Sequence, residues 1–186
     1  MKESQASGGY KLSGLGSINV LLGKNGVGKS TLLRSFDASL RVDENPRQQN
    51  VLYITPERGG EVREDHGLRD QISRKPSTAI NQTRRNYSSS YRTISVAKFA
   101  GLMEKVREAF ETATLSGLPS AKSTRDLLVE INALQHRIDV KTDGARPVFT
   151  RRDTGGEVAE TELSSGEKEL FCLAVDLLHF EYTYSQ

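Results

Sequence analysis

A glycine-rich stretch near the N-terminus constrains the fold of this chain more than any other feature. Residues 23–31 read GKNGVGKST and place glycine, lysine and serine at the spacing G-x-x-x-x-G-K-S. The stretch follows an apolar run at 18–22 and precedes apolar residues at helical spacing, so we predict a strand, a loop and a helix in that order. Glycines lack a Cβ and let the backbone wrap with its N–H groups facing phosphate oxygens. The pattern therefore predicts a phosphate-binding loop, called the glycine-rich loop below.

The same spacing suggests what the individual residues of the loop do. Lys29 is expected to reach the β- and γ-phosphates as a catalytic residue, and the Ser30 hydroxyl is expected to ligate Mg²⁺. The following helix adds the partial positive charge of its N-terminus. The expected nucleotide-binding residues are Gly23, Asn25, Gly26, Gly28, Lys29, Ser30 and Thr31.

A second stretch, LSSGEKEL at residues 163–170, precedes an apolar run with helical periodicity. Ser164 and Glu167 have the spacing of a capping box, in which the serine hydroxyl and the glutamate carboxylate each bond the other residue's N–H. A well-capped helix is the simplest interpretation. Two serines and a glycine at a helix N-terminus also form a site that suits an anion.

Together the two stretches resemble the paired motifs of the ABC-type ATPases, and LSSGEKEL looks like the signature motif of that superfamily. Glu167 and Lys168 after the glycine are more similar to the SMC-like and OLD-like branch than to transporter subunits. The resemblance implies an α/β fold, namely a P-loop NTPase sheet of the ABC type with helices on its faces and a short, mostly helical insertion. It implies ATP and Mg²⁺ as cofactors.

The resemblance also implies a use for the second motif. In the family two subunits pack head to tail, and the signature motif of one caps the γ-phosphate held by the other. Carried over by position, Ser164, Gly166 and Lys168 would contact that phosphate in the partner subunit. The implied protein is therefore a homo-oligomer built on a head-to-tail dimer and switched by ATP.

Family context suggests an ATPase acting in DNA repair or in anti-phage defence, with a nuclease or toxin as a possible effector partner. Two alternatives stay open. One is a non-hydrolysing ATP-dependent scaffold that sequesters an effector protein, and the other is the ATP-binding subunit of a transporter.

The sequence departs from the family pattern in its catalytic residues. A predicted strand at 51–55 ends where the family has a glutamine; Glu57 stands near that position as a candidate catalytic residue, and Gln71 is a more distant candidate. The last helix contains Asp176 and ends near His179, and neither matches the Walker B carboxylates or the switch histidine. We therefore expect an N-terminal portion of a longer ATPase that ends before the Walker B strand, with weak ATP binding at best and negligible turnover by itself.

The pattern along the chain predicts three regions. Residues 1–56 form the N-terminal lobe of the core, 57–146 form an irregular and helical insertion, and 147–186 form a hairpin, the signature motif and its helix. Within the insertion, 57–95 reads as irregular, and two apolar stripes predict helices over 96–110 and 127–138. Ser123 is the predicted N-cap of the second helix, with Asp126 in its first turn. Two strands, 148–153 and 157–161, are predicted around a Gly-Gly turn, and a final helix over 167–179.

Composition limits the classes of partner. The net charge of +2 does not by itself indicate nucleic acid or membrane, and the single cysteine, Cys172, is predicted to be a core residue. No segment has the apolar length of a signal peptide or a membrane span, so we expect a cytoplasmic protein without a membrane partner. The segment 74–92 interleaves arginines with tyrosines, and it is open whether it is a solvated loop or contacts a protein or nucleic acid.

Overall fold

The computed structural model of the chain describes residues 2–5, 11–15, 19–39, 54, 59–75, 90–118 and 121–184. It divides into two compact units, Met1–Tyr53 and Ile54–Gln186, and each is described by itself. The described strands form one two-stranded and one three-stranded antiparallel sheet, accompanied by helices. The predicted α/β class is confirmed.

The first unit combines a short hairpin with one helix. Strands β1 (Lys2–Gln5) and β2 (Lys11–Leu15) are antiparallel, with Gln5 opposite Lys11 and an irregularity between Lys2 and Ser4. Helix α1 (Lys29–Ser39) follows the glycine-rich loop and lies next to β1.

The strand predicted at 18–22 is wrong over the residues that the structure describes. Residues 19–22 have no regular secondary structure, and the side chains of Val20 and Leu22 are 73% and 88% exposed. An apolar run becomes a strand only when neighbouring strands bond its backbone and cover its side chains, and the described residues of this unit leave Val20 and Leu22 uncovered. The strand predicted at 51–55 lies outside the described residues except for Ile54, which has no regular structure.

The second unit contains four helices and three strands over the described residues. In chain order they are α2 (His66–Arg74), α3 (Tyr91–Leu115), α4 (Thr124–Ala133), β3 (Ile138–Asp143), β4 (Arg146–Arg151), β5 (Glu157–Val158) and α5 (Ser165–Tyr184), with a 3₁₀ turn at Glu160–Glu162 before the last helix. The sheet order is β3-β4-β5, and both pairings are antiparallel.

Helix α2 lies in a region where the sequence predicted irregular structure. Its N-cap residue is Asp65, whose carboxylate accepts a hydrogen bond of 3.0 Å from the Leu68 N–H. The helix packs against α3 through Ile72, which joins Ile94 and Ala97 in a small apolar cluster. The prediction failed because α2 carries a single fully buried residue, too few for the apolar periodicity that sequence reasoning needs.

Helix α4 begins as predicted and ends earlier. Ser123 caps it, and the carboxylate of Asp126 accepts from the Ser123 N–H at 2.8 Å. The helix stops at Ala133 because the Asn132 side chain bonds the backbone of β3, donating to the Val140 carbonyl at 2.9 Å and accepting from its N–H at 2.7 Å. Ile138, predicted to be helical, therefore starts a strand.

The hairpin of β3 and β4 was only half predicted. Asp143 pairs with Arg146, and the two-residue turn between them places Gly144 at a φ of 60°, a conformation that favours glycine. The predicted strands 148–153 and 157–161 correspond to β4, which ends at Arg151, and to the two-residue β5. The chain leaves the sheet after Val158 and enters the 3₁₀ turn.

The core of the second unit lies where α3, the sheet and α5 meet. The ring of Phe171 on α5 packs edge-on against Phe149 of β4 at 5.2 Å between centroids, and against Phe99 of α3 at 5.7 Å. Cys172 is fully buried beside them, as predicted. This aromatic cluster fixes the helix that follows the signature motif against the sheet that precedes it.

Candidate functional site

The glycine-rich loop has backbone conformations that residues other than glycine rarely adopt. Gly26 and Gly28 have φ values of 82° and 92°, in the left-handed region that favours glycine. A Cβ on Gly23 would lie 3.0 Å from Cγ1 of Val27, so a side chain there would require the Val27 side chain to shift by a few tenths of an ångström. The loop closes into the first turn of α1, where the Leu32 N–H donates to the Gly28 carbonyl at 2.9 Å.

Lys29 folds back over this loop. Its ammonium group donates hydrogen bonds to the carbonyl oxygens of Gly23 at 2.7 Å and Lys24 at 2.9 Å. The cation is thereby held above the loop by two neutral acceptors. Because a bond between an ammonium and a phosphate oxygen is charge-assisted and stronger, an arriving phosphate can compete for Lys29.

The surroundings of the loop suit a phosphorylated ligand. A cavity of about 320 Å³ is lined by Gly28, Lys29 and Thr31 together with apolar residues that include Leu21 and Leu32. The side chain of Ser30 is exposed on the first turn of α1. The first N–H groups of a helix have no partner inside the helix, so they and the loop amides are available to an anion. The residues present therefore fit a triphosphate with Mg²⁺ at Ser30.

The signature motif, residues 163–170, starts helix α5 of the second unit with the predicted capping box. The Ser164 hydroxyl accepts from the Glu167 N–H at 3.3 Å, and the Glu167 carboxylate accepts from the Ser164 N–H at 2.7 Å. The Ser164 carbonyl accepts from the Lys168 N–H at 3.1 Å, which begins the helical ladder. The capping box is confirmed, and it fixes the conformation of the Ser-Ser-Gly segment.

The same motif is anchored at one end and open at the other. Leu163 is buried, 4% exposed, and belongs to the main core cluster. Ser164, Ser165 and Gly166 are exposed in the second unit, and a Cβ on Gly166 would meet nothing within 4 Å. The 20-residue helix behind them directs its N–H groups and the positive end of its dipole outward. This end of α5 can therefore receive an anion from outside the unit.

Glu167 has a second partner that sequence reasoning did not identify. Arg151, the last residue of β4, donates from Nη1 to the Glu167 Oε1 at 2.6 Å and from Nη2 to the Glu162 carbonyl at 3.4 Å. Partial burial raises the pKa of the Glu167 carboxyl, but its hydrogen bonds with Ser164 and the charge of Arg151 outweigh that effect and leave the pKa below its ordinary value. The carboxylate therefore carries its charge at neutral pH.

The remaining predicted site residues have separate positions. Asn25 and Ser30 are exposed within the first unit, and Lys168 is half-buried on the first turn of α5. Glu57 lies outside the described residues, and Gln71 is an exposed residue of α2. The structure thus groups residues 23–31 in one unit and Ser164, Gly166 and Lys168 in the other.

Helix α5 also holds a buried ion pair that the sequence did not reveal. The Lys98 ammonium lies 2.7 Å from the Asp176 carboxylate, and their side chains are 4% and 3% exposed. The Tyr91 hydroxyl donates to the other oxygen of the same carboxylate. Lys98 and Tyr91 are seven residues apart on α3 and so lie on one face, which was the available signal. The pair fixes α5, and hence the signature motif, to α3.

Two further titratable groups on α5 are buried. His179 is 6% exposed inside the helix, contrary to the position near its end that was expected. Burial together with the charges of Lys98 and Lys105 lowers the pKa of His179 to about 3. Burial, reinforced by Asp176, raises the pKa of the Cys172 thiol to about 12. Both groups are neutral at physiological pH, which agrees with structural rather than nucleophilic or acid–base roles.

Comparison with known proteins gives one match. A family model described as ABC transporter matches residues 14–180, a range that includes both the glycine-rich loop and the signature motif. No curated protein and no solved structure matches the chain. Among the residues described above, none of the helices combines the length and apolarity needed to cross a lipid bilayer.

Proposed function

Because the chain belongs to the ABC transporter family of P-loop ATPases, we propose that it binds Mg-ATP and associates head to tail through the bound nucleotide. ATP binding is the general property of the family. The glycine-rich loop would hold the triphosphate by its backbone N–H groups, with Lys29 at the β- and γ-phosphates and Ser30 at Mg²⁺. Gly23, Asn25, Gly26, Gly28 and Thr31 complete the cradle.

The signature motif would serve the nucleotide of a second copy. The observation that carries this proposal is the exposure of Ser164 and Gly166 at the start of a long, capped helix that packs into the core through Phe171, Cys172, Ala174, Val175 and Leu178. Ser164 would donate its hydroxyl, Gly166 would allow close approach of the backbone, and Lys168 would add positive charge nearby. A γ-phosphate held between two helix N-termini links two subunits, and its removal by hydrolysis breaks the link.

We propose the SMC-like or OLD-like branch, in the cytoplasm, for the biological role. The support is the Glu167-Lys168 pair after the glycine, which differs from the form typical of transporter subunits. In that branch the ATP-driven dimer acts in DNA repair or anti-phage defence, with DNA, a nuclease or a toxin as the further partner. Glu57 is the proposed residue for orienting the attacking water if the dimer hydrolyses ATP.

Sedimentation velocity on the chain with Mg²⁺ and a slowly hydrolysed ATP analogue tests the association. We expect the analogue to shift the chain from monomer to dimer and ADP to leave it monomeric, since ADP lacks the bridging phosphate. Gly166→Val should abolish the dimer without changing nucleotide affinity, because the bulky side chain would stand between the helix N-terminus and the phosphate. Dimers of equal strength with ADP and with the analogue would contradict the proposal.

Hydrolysis separates the ATPase from the scaffold alternative. Phosphate release should be measured, with and without DNA, on a longer form of the protein that includes the Walker B carboxylates, and it should be stimulated by association if the protein is an ATPase. Stable dimers without turnover would favour a scaffold that sequesters an effector protein, and association that depends on a membrane subunit would favour a transporter.

A further inference from the structure

The signature motif contains a charge that opposes its proposed ligand. Glu167 directly follows Gly166, so its carboxylate stands on the first turn of the helix whose N-terminus would receive a γ-phosphate. Two negative charges a few ångströms apart repel each other, and the repulsion grows as water is displaced from between them. An uncompensated Glu167 would therefore weaken the association of two subunits through ATP.

The structure shows how that charge is compensated. One carboxylate oxygen of Glu167 accepts from Nη1 of Arg151 at 2.6 Å, and the other accepts from the Ser164 N–H at 2.7 Å. The Glu167 side chain is only 12% exposed, and that of Arg151 is 31% exposed. Both oxygens are thus turned inward, toward the sheet and the cap.

Arg151 is itself fixed in place. It ends strand β4, and its second terminal nitrogen donates to the Glu162 carbonyl at 3.4 Å, in the turn just before the motif. The backbone of Arg151 is also hydrogen-bonded: the Arg151 N–H donates to the Gly156 carbonyl, and the Arg151 carbonyl accepts from the Gly155 N–H. The guanidinium therefore joins the end of the sheet to the turn before the signature motif and to Glu167 within it.

We propose that Arg151 is a positioning residue of the signature motif. It neutralises Glu167 and holds its carboxylate away from the exposed Ser164–Gly166 face, so that a γ-phosphate of a second copy meets hydroxyl and N–H donors without a facing negative charge. The inference rests on the proposed head-to-tail association. It assigns a function in nucleotide-driven assembly to a residue that lies outside both sequence motifs.

Four variants separate charge compensation from simple stabilisation of the fold. Arg151→Ala removes the guanidinium, and Arg151→Gln removes its charge with less loss of packing. Arg151→Ala combined with Glu167→Gln removes both charges while leaving an oxygen to accept from Ser164. Arg152→Ala is the matched control, because Arg152 faces elsewhere and binds Asp139 at 2.8 Å and the Asn132 carbonyl at 2.9 Å.

The readout is the dissociation constant of the dimer formed with Mg²⁺ and a slowly hydrolysed ATP analogue, measured by sedimentation at several salt concentrations. We expect Arg151→Ala and Arg151→Gln to weaken the dimer about tenfold, the scale of a charge-assisted hydrogen bond. The dissociation constant of the double variant should return to within about threefold of the wild-type value. That of Arg152→Ala should also lie within about threefold of the wild-type value. Nucleotide affinity of the monomer, measured with a fluorescent ATP analogue, should not change in any variant.

The outcomes distinguish this inference from the proposed function. If the wild-type chain does not dimerise in the presence of the ATP analogue, the proposed function is contradicted, and so is the role of Arg151. A wild type that associates while Arg151→Gln associates equally well contradicts only the role of Arg151. Failure of Glu167→Gln to restore the Arg151→Ala dimer also overturns it, because a purely structural contact is not rescued by removing its partner's charge.

Discussion

The glycine-rich loop and the signature motif are shaped in different ways, although each stands at a helix N-terminus that is proposed to bind an anion. The loop is shaped by its backbone, through the positive φ values of Gly26 and Gly28 and the close approach at Gly23. The signature motif is shaped by side chains, through Ser164, Glu167 and Arg151. A backbone cradle encloses its ligand from several sides, whereas a capped helix end offers one face and suits a ligand already held by another subunit.

The glycine-rich loop and the helix of the signature motif also differ in how deeply their residues are buried. The residues of the loop are largely exposed within the first unit. The helix of the signature motif carries Phe171, Cys172 and Val175, all fully buried, and the Lys98–Asp176 pair. Substitutions in the loop should therefore change ligand binding, and substitutions along α5 should change stability.

The largest effect is expected at Asp176. Asp176→Ala leaves the Lys98 ammonium buried without its partner and removes the acceptor of the Tyr91 hydroxyl, so the free energy of unfolding should fall by about 3–5 kcal/mol. Urea denaturation followed by circular dichroism measures the change. Asp139→Ala is the matched control, since the Asp139–Arg152 pair is about 40% exposed and worth less than about 1 kcal/mol. Similar losses for both variants would show that burial does not distinguish the two ion pairs.

Sequence reasoning recovered the parts of this molecule that depend on local pattern. The N-cap at Ser123 and the capping box at Ser164 each need only residues three positions apart, and both are present. The helix after the signature motif and the core position of Cys172 followed from apolar periodicity in the same way. Such features are encoded within one turn of helix, so a single sequence is sufficient.

The features that it missed depend on distant partners. Lys98 and Asp176 are 78 positions apart, and Arg151 and Glu167 are 16 apart across a change from strand to helix. Ile138, the first residue of strand β3, was assigned to a helix because it continued the apolar spacing of α4, and the Asn132 side chain that ends the helix has no sequence signature of its own. In each of these cases, hydrogen bonds between residues distant in the sequence determine the structure and override the local preference.

Lys29→Ala should give the largest effect in the loop. Without the ammonium the phosphates lose charge-assisted hydrogen bonds, and the affinity for a fluorescent ATP analogue should fall roughly 100-fold, or about 2.7 kcal/mol. The melting temperature should stay close to that of the wild type, because the described bonds of the Lys29 side chain go to carbonyls of its own loop. Lys24→Ala removes a positive charge from the same loop but keeps the backbone carbonyl of residue 24, so this variant should bind the ATP analogue with wild-type affinity. Equal losses in the two variants would mean that net charge, and not the position of Lys29, determines affinity.

A smaller effect is expected from the buried histidine on α5. The pKa of His179 is lowered from 6.5 to about 3, so the unfolded chain binds a proton that the folded chain does not between these values. The contribution of His179 to stability is fully present above pH 6.5 and is lost as the pH falls, by about 1.4 kcal/mol at pH 5.5. The difference in unfolding free energy between pH 7.5 and 5.5 should shrink by that amount in His179→Asn and stay unchanged in His136→Asn, which alters an exposed histidine. An unchanged difference in His179→Asn would show that this histidine takes up its proton at the same pH in the folded and in the unfolded chain.

The smallest effect tests the cap of the signature motif. Ser164→Ala removes the acceptor of the Glu167 N–H, and loss of an N-cap of this kind costs about 1 kcal/mol of unfolding free energy. Ser165→Ala, one position later on the helix, removes an exposed hydroxyl outside the capping box and should be nearly neutral. Measured by urea denaturation, the contrast between neighbouring serines reports how far side chains define this helix end. If both variants are neutral, the conformation of the motif is fixed by Leu163 in the core and by Arg151, and the two anion sites differ less in design than their hydrogen bonds indicate.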